Sequence, residues 1–256
     1  MSERSAAGRL RPLAAAVTFL TAVPVGRDLH LDERDLRRGA AWFPLVGGAV
    51  GASVAATAWG AAHVLPATAS AVLGVAAGVG LTAAFHLDGL GDVADGIGAT
   101  LTGRAPAGVM RDPRLGTFGV AAVALDLLLK GSLLAALAVG GFPWTVAGAG
   151  AAARVAPIAL AWRLPYEGGG TGGWVRDVGA RTAGAATVIA LCVAAPASRL
   201  ATVGMVVACA LVCTLLGRWS RRHLGGVTGD VFGAAAELTD TLSLAIAVAV
   251  ARVGTA

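Results

Sequence analysis

Three carboxylates set the problem. In the run Phe85-His86-Leu87-Asp88-Gly89-Leu90-Gly91-Asp92-Val93-Ala94-Asp95-Gly96-Ile97-Gly98, residues Asp88, Asp92 and Asp95 fall at i, i+4 and i+7. That spacing puts side chains on one face of a helix. Like charges at i, i+4 repel, and no basic residue lies between them. Ionised acids near a membrane are costly unless something positive offsets them. Oxygen-only donors suit a hard cation, Mg²⁺ with Mn²⁺ as substitute, better than zinc. A carboxylate-held divalent metal serves phosphoryl transfer by offsetting charge on phosphate oxygens. Gly89, Gly91, Gly96 and Gly98 each weaken a helix by up to about 1 kcal/mol relative to alanine, which makes sense where a ligand must approach the backbone. A solvated helix end would account for one acid more easily than for three on one face.

Two further segments could act on phosphate. In Met110-Arg111-Asp112-Pro113-Arg114-Leu115-Gly116-Thr117-Phe118-Gly119, Pro113 and Gly116 predict a turn. The flanking Arg111 and Arg114 are guanidinium groups of the kind that hold phosphate oxygens in bidentate fashion. The alternative is a basic anchor ahead of the next apolar run. The segment Leu224-Gly225-Gly226-Val227-Thr228-Gly229-Asp230 enters a predicted helix that carries Glu237 and Asp240. A glycine-containing turn at a helix start, here with Gly226 and Gly229, is suited to anions, although the Lys-Ser/Thr ending of a Walker motif is absent. Asp230 and Glu237, at i and i+7, share a face and could complete the metal shell; Asp240 lies off it. Inside apolar runs stand Lys130, the only lysine, with Asp126 at i−4, and Arg154. Such residues face polar interiors, so Lys130 either pairs locally with Asp126 or, with Arg154, reaches substrate phosphate.

The elements that must position these residues are membrane helices. Of 256 residues, 56% are hydrophobic and 14% charged, against about 25% charged in soluble domains. Crossing a hydrocarbon core of about 30 Å takes roughly 20 helical residues. Candidate runs are 42–65, 67–86, 117–140, 142–163, 183–198, 200–217 and 234–253, with 183–198 short enough to be re-entrant. The expectation is an all-α polytopic bundle of six to eight helices in a single domain over 1–256. Arg4, Arg9 and Arg11 ahead of apolar 13–25 imitate a signal peptide. Pro24 and the lack of a small-x-small site favour instead an amphipathic helix lying at the interface.

The formal charge of +5 does not point to nucleic acid, because the basic residues lie between the apolar runs and not in one stripe. Segments 1–40, 87–116, 163–182 and 218–222 hold 16 of the arginines, a positive-inside pattern that places them on the cytoplasmic side of a cell membrane. Four predicted crossings between 117 and 217 then bring the Asp88 and Asp230 segments to one face, with the loop from Glu167 to Trp174. Cys192, Cys209 and Cys213 lie in apolar runs and read as packing residues. The abundance of Ala, Gly and Val permits close helix contact.

Taken in order, His86 through Asp95-Gly96, Met110-Arg111-Asp112-Pro113-Arg114, Gly116-Thr117-Phe118-Gly119, and Gly226 through Asp230 with Gly233-Ala234 and Glu237 resemble the cobalamin (5′-phosphate) synthase family, also called adenosylcobinamide-GDP ribazoletransferase. Phe19-Leu20-Thr21 with Val23-Pro24-Val25 resembles its N-terminal signature. The resemblance implies a Mg²⁺-dependent phosphotransferase in a bacterial plasma membrane. It would join adenosylcobinamide-GDP to α-ribazole or its 5′-phosphate and release GMP. For such a reaction the residue reading assigns Asp88, Asp92 and Asp95 to the metal, with Asp230 and Glu237 as further ligands or general base. Arg111 and Arg114 become phosphate contacts, joined by Lys130, Arg154, Gly226 and Gly229. An oligomer is compatible with all of this. CDP-alcohol phosphotransferases are an alternative, but Thr100 stands where their Asp-Gly-x-x-Ala-Arg element has Arg, and no later Asp pair follows. An ion-coupled transporter is the alternative outside enzymes; its acids would sit at the midplane and not beside arginine-rich loops.

Overall fold

The computed structural model describes residues 2–25, 31–137, 142–169 and 178–253. The apolar runs fold as helices: α1 (Ser2–Leu20), α2 (Glu33–Gly39), α3 (Phe43–Ala61), α4 (Ala67–Leu81), α5 (Phe85–Leu101), α6 (Pro106–Val109), α7 (Thr117–Leu137), α8 (Phe142–Arg163), α9 (Ala180–Ala194), α10 (Arg199–Leu224) and α11 (Gly229–Val253). Among the described residues the only extended pairing is an isolated bridge between Tyr166 and Val227. Within the described residues five helices are long and apolar enough to cross a membrane, six if the bent pair α4–α5 makes one span. The expected all-α polytopic bundle is therefore what the chain forms.

Central α8 is the most enclosed of these spans. Ala149, Ala151, Ala153, Ala156 and Ile158 are fully buried. It packs on α3, α9, α10 and α11. Small residues make this possible: Gly47 of α3 and Gly150 of α8 lie so close that a methyl on either would collide with the other's carbonyl. Backbone approach of this kind is how helices gain contact where lipid removes the hydrophobic drive. The outer helices expose their large apolar side chains, Leu125, Leu128 and Leu129 on α7 and Val203, Val207, Leu211 and Leu215 on α10. An apolar surface of that extent fits lipid and not water. At the N-terminus the Arg11 guanidinium holds Asp35 of α2 at 2.6 Å, and the second half of α1, from Ala14 to Ala16 and Leu20, is buried in the bundle.

The expected span 67–86 is not one helix. The chain breaks after Leu81, Ala83 and Ala84 take φ of 48° and 57°, and α5 departs at 92° to α4. A left-handed residue other than glycine costs about 1–2 kcal/mol, so tertiary packing imposes this turn. Segment 85–101 is the helix that the spacing of its three acids called for, and it packs on α7 and α11. The 15-residue α9 falls below spanning length, so of the four crossings expected between 117 and 217 three, α7, α8 and α10, are long enough to span; the apolar run of 183–198 was too short to supply the fourth.

Candidate active site

The acid face forms because α5 and α11 touch through glycine. A methyl at Gly89 would sit 2.6 Å from the Asp230 carbonyl oxygen, and one at Gly233 would sit 3.0 Å from the His86 carbonyl oxygen and 3.3 Å from Gly89 Cα. This contact sets Asp230, at the start of α11, beside Asp88 and Asp92 on α5. The strongest like-charge neighbour of Asp92 is Asp230, followed by Asp88 and Asp95. Asp88 is exposed, and Asp92 and Asp230 are half-buried. Neither the Asp88 nor the Asp92 carboxylate makes a hydrogen bond or ion pair with any described residue. Asp230 accepts only a long bond from the Thr228 hydroxyl, 3.4 Å.

Asp95 has a different role within the same row. It is buried, and its two oxygens accept the backbone N–H groups of Gly116 (2.6 Å) and Gly119 (2.9 Å). It thus caps the N-terminus of α7 from a neighbouring helix, satisfying donors that a helix start leaves unpaired. Gly116 and Gly119 are required there, since a methyl at either would meet the carboxylate at 2.6 and 2.5 Å. The Arg111 loop is thereby fastened to the acid face.

The two arginines of that loop diverge. Arg111 lines a cavity of about 320 Å³ together with Thr228, Gly229, Asp230 and His86. Arg114 turns away and grips Asp112, with Nε at 3.0 Å and Nη2 at 2.9 Å. This surface pair, with Arg114 exposed and Asp112 partly so, holds the Asp112 carboxyl down to about 2. Gly229 has open space about it and lines the cavity, whereas Gly226 is wedged against the Pro165 carbonyl and the Glu167 side chain. The role of Gly226 in the structure is therefore packing: the Ser220 hydroxyl donates to its carbonyl, and Val227 N–H donates to Pro165 at 2.8 Å. Of the predicted loop from Glu167 to Trp174, residues Glu167 to Gly169 line the cavity, and 170–174 lie outside the described residues.

Lys130, Arg154 and Glu237 sit elsewhere, in the bundle interior. Lys130 bonds Glu237 and pairs with Asp126 at 3.0 Å and Asp240 at 3.5 Å. The local pair with Asp126 is present, then, but within a larger cluster that engages the lysine fully. The Thr241 hydroxyl donates to Asp126. Arg154 Nη2 lies 3.5 Å from His86 Nδ1. Lys130, Arg154, Glu237 and Asp240 line an inner cavity of about 60 Å³. Glu237, placed by spacing with Asp230, faces Lys130 because the interior offers its carboxylate a cation there. Asp240, off the expected face, joins the same cation.

Sequence reasoning missed the aromatic walls of the larger cavity. They are Phe19, Phe43, Phe85, Tyr166 and Phe232. The available signal was scarcity: the chain has one Tyr and six Phe.

Among the described residues no three or more His, Cys, Asp or Glu side chains are grouped so as to hold a metal ion by themselves. By donor chemistry alone, Asp88 and Asp92 with Asp230 beside them suit Mg²⁺, which takes one or two carboxylates and fills its octahedron with water and substrate phosphate. The donors are all oxygen, carry like charge and lack cationic partners. Asp95 and Glu237 are already engaged.

Residues 12–248 match the family described as cobalamin-5-phosphate synthase. The chain is 36% identical to the adenosylcobinamide-GDP ribazoletransferase of Ralstonia pickettii (strain 12J), covering 91% of this chain and 93% of that one. It is 34% identical to the protein of that name from Roseiflexus sp. (strain RS-1), over 93% and 89%, and 30% identical to that of Vibrio parahaemolyticus, over 89% and 88%. No solved structure matches the chain to a significant degree. With its motifs in order and its length almost wholly covered, the chain belongs to the cobalamin-5-phosphate synthase family.

Proposed function

We propose that this protein is an adenosylcobinamide-GDP ribazoletransferase that joins adenosylcobinamide-GDP to α-ribazole, or its 5′-phosphate, and releases GMP. The observation that carries the reading is the meeting of Asp88, Asp92 and Asp230 beside Arg111, in a chain whose relatives bear that name. A ribose hydroxyl of the acceptor attacks the phosphorus that carries cobinamide. The bond from that phosphorus to the GMP oxygen breaks, and GMP leaves with the electron pair. Asp230, which lines the cavity, takes the hydroxyl proton. Arg111 holds the diphosphate in line, as a planar donor fork can. Mg²⁺ on Asp88 and Asp92 would offset the charge on the diphosphate oxygens. Asp95 positions the loop bearing Arg111. The reading further places the protein in the bacterial plasma membrane, with this site on the arginine-rich cytoplasmic face.

Purified protein in liposomes should release GMP from adenosylcobinamide-GDP only when α-ribazole and Mg²⁺ are both supplied. Folded protein that releases none under those conditions refutes the assignment.

A further inference from the structure

We propose that the aromatic cavity is the pocket for the flat, fused-ring base of the acceptor nucleoside, which it seats so that the ribose hydroxyl meets Asp230. The inference rests on the transferase reading above and adds to it which substrate occupies which part of the site.

The distribution of rings carries it. Four of the six phenylalanines and the only tyrosine of the chain line this one cavity. They arrive from separate elements: Phe19 from α1, Phe43 from α3, Phe85 from α5, Tyr166 from the segment after α8, and Phe232 from α11. Phe19 stacks on Phe43 at 5.6 Å and meets Phe85 edge-on at 5.6 Å, while Tyr166 and Phe232 lie parallel at 6.1 Å. Elsewhere the buried core is aliphatic, built from Ala, Val, Leu, Ile and Met with Trp219 packed at its edge, so helix packing alone does not call for a cluster of rings here. Aromatic faces are the general platform for nucleic-acid bases.

Polarity and size then select the base. Asp230, Thr228 and Arg111 join the rings in lining the cavity, which suits a ligand with an apolar flat end and a hydroxyl-bearing end. A volume of about 320 Å³ is at the lower end of small-molecule pockets, which run from about 300 Å³ upward; it has room for a nucleoside and none for a corrin ring. The other substrate also carries a base, guanine. Guanine, however, presents amino and carbonyl groups along its edge, and each one buried against rings without a partner is penalised. A benzimidazole-type base has no such exocyclic groups.

The test is a split of kinetic constants at Phe85, which is 49% exposed and so can be truncated without opening the core. Phe85→Ala should raise KM for α-ribazole at least about five-fold, the loss expected for one base–ring stack. KM for adenosylcobinamide-GDP should stay within about two-fold by the same reckoning, and Phe85→Trp should restore the first constant. Phe85→Leu, with apolar bulk but no ring, should behave as the alanine variant does and guards against a folding defect. A rise in KM for adenosylcobinamide-GDP instead would assign the cavity to guanine and overturn the proposal, as would no change in either constant. Equilibrium binding of α-ribazole alone to detergent-purified protein separates this from the transferase reading. If wild type releases no GMP, that reading fails. Binding of α-ribazole weakened by Phe85→Ala would still sustain the pocket, and absence of binding would remove it.

Discussion

Gly89→Ala is the perturbation that most directly tests how the acid face is built. The added methyl carbon would lie 2.6 Å from the Asp230 carbonyl oxygen, 3.0 Å from its Cα and 3.2 Å from its carbonyl carbon, where ordinary contact begins at 3.4 Å. All three obstacles are backbone, so no side-chain rotation relieves them, and α5 must part from α11 by roughly 0.8 Å, the difference between 3.4 and 2.6 Å. Overpacking of this kind costs about 1–3 kcal/mol, and alanine's better helix propensity returns up to about 1 kcal/mol. Folding should therefore survive. Catalysis should not, because a misplacement of about 1 Å among reacting groups costs on the order of 100-fold. The expected result is a 10- to 100-fold drop in kcat, roughly, with a weaker response to Mg²⁺ and only a small change in Tm. Gly60→Ala is the control, since a methyl there meets nothing within 4 Å. GMP release under saturating substrate, followed across a Mg²⁺ titration, reads the effect. Wild-type turnover in Gly89→Ala, or an equal loss in Gly60→Ala, would refute the reasoning.

Asp92→Asn should abolish turnover while membrane insertion and Tm stay near wild type; retained activity in the GMP assay would take Asp92 out of the site. Lys130→Met leaves Asp126, Glu237 and Asp240 without their shared cation, and breaking a buried pair in this way costs about 3–5 kcal/mol. Thermal inactivation in detergent should show a large drop, partly reversed by adding Glu237→Gln, and an unchanged midpoint would mean the cluster is solvated. The Asp112 carboxyl is held at about 2, below its ordinary 3.8, by Arg114. A depressed folded value means its contribution is present above about pH 4 and is lost as pH falls toward 2. Asp112→Asn should accordingly leave the shape of the pH–rate profile from about pH 5 to about pH 9 unchanged, and a new inflection in that range would contradict the ion pair.

Hydropathy alone made the spanning helices legible, because lipid demands long uninterrupted apolar runs and the chain supplies them. It flagged 183–198 as short enough to be re-entrant yet counted it as a crossing, and α9 is a 15-residue helix below spanning length. The break before α5 was not legible. Ala83 and Ala84 carry no preference for positive φ, and only packing against α11 and α7 forces it on them. Within the site, residue type and spacing singled out Asp88, Asp92 and Asp230, which the fold sets on neighbouring helices. Periodicity says which residues share a face, but not what stands opposite. Asp95 thus turned out to meet two backbone N–H groups of α7, and Glu237 to meet Lys130. The grip of Arg114 on Asp112, two residues away, could have been suspected from the sequence. The ring-lined cavity could not be placed, since its five aromatics come from five distant segments.

The 92° turn at Ala83–Ala84 bears on how a bulky substrate reaches the acids. Asp88 and Asp92 are four residues apart, about 6 Å along a helix axis at 1.5 Å per residue. On a helix standing upright in a bilayer they would lie at depths differing by that amount, and a ligand engaging the row would have to burrow. With α4 upright, α5 lies flat and the row becomes a shelf at a single depth. A macrocycle tethered by its phosphate could then dock broadside from the aqueous side, its ring never entering hydrocarbon, and only the small acceptor would have to descend between the helices.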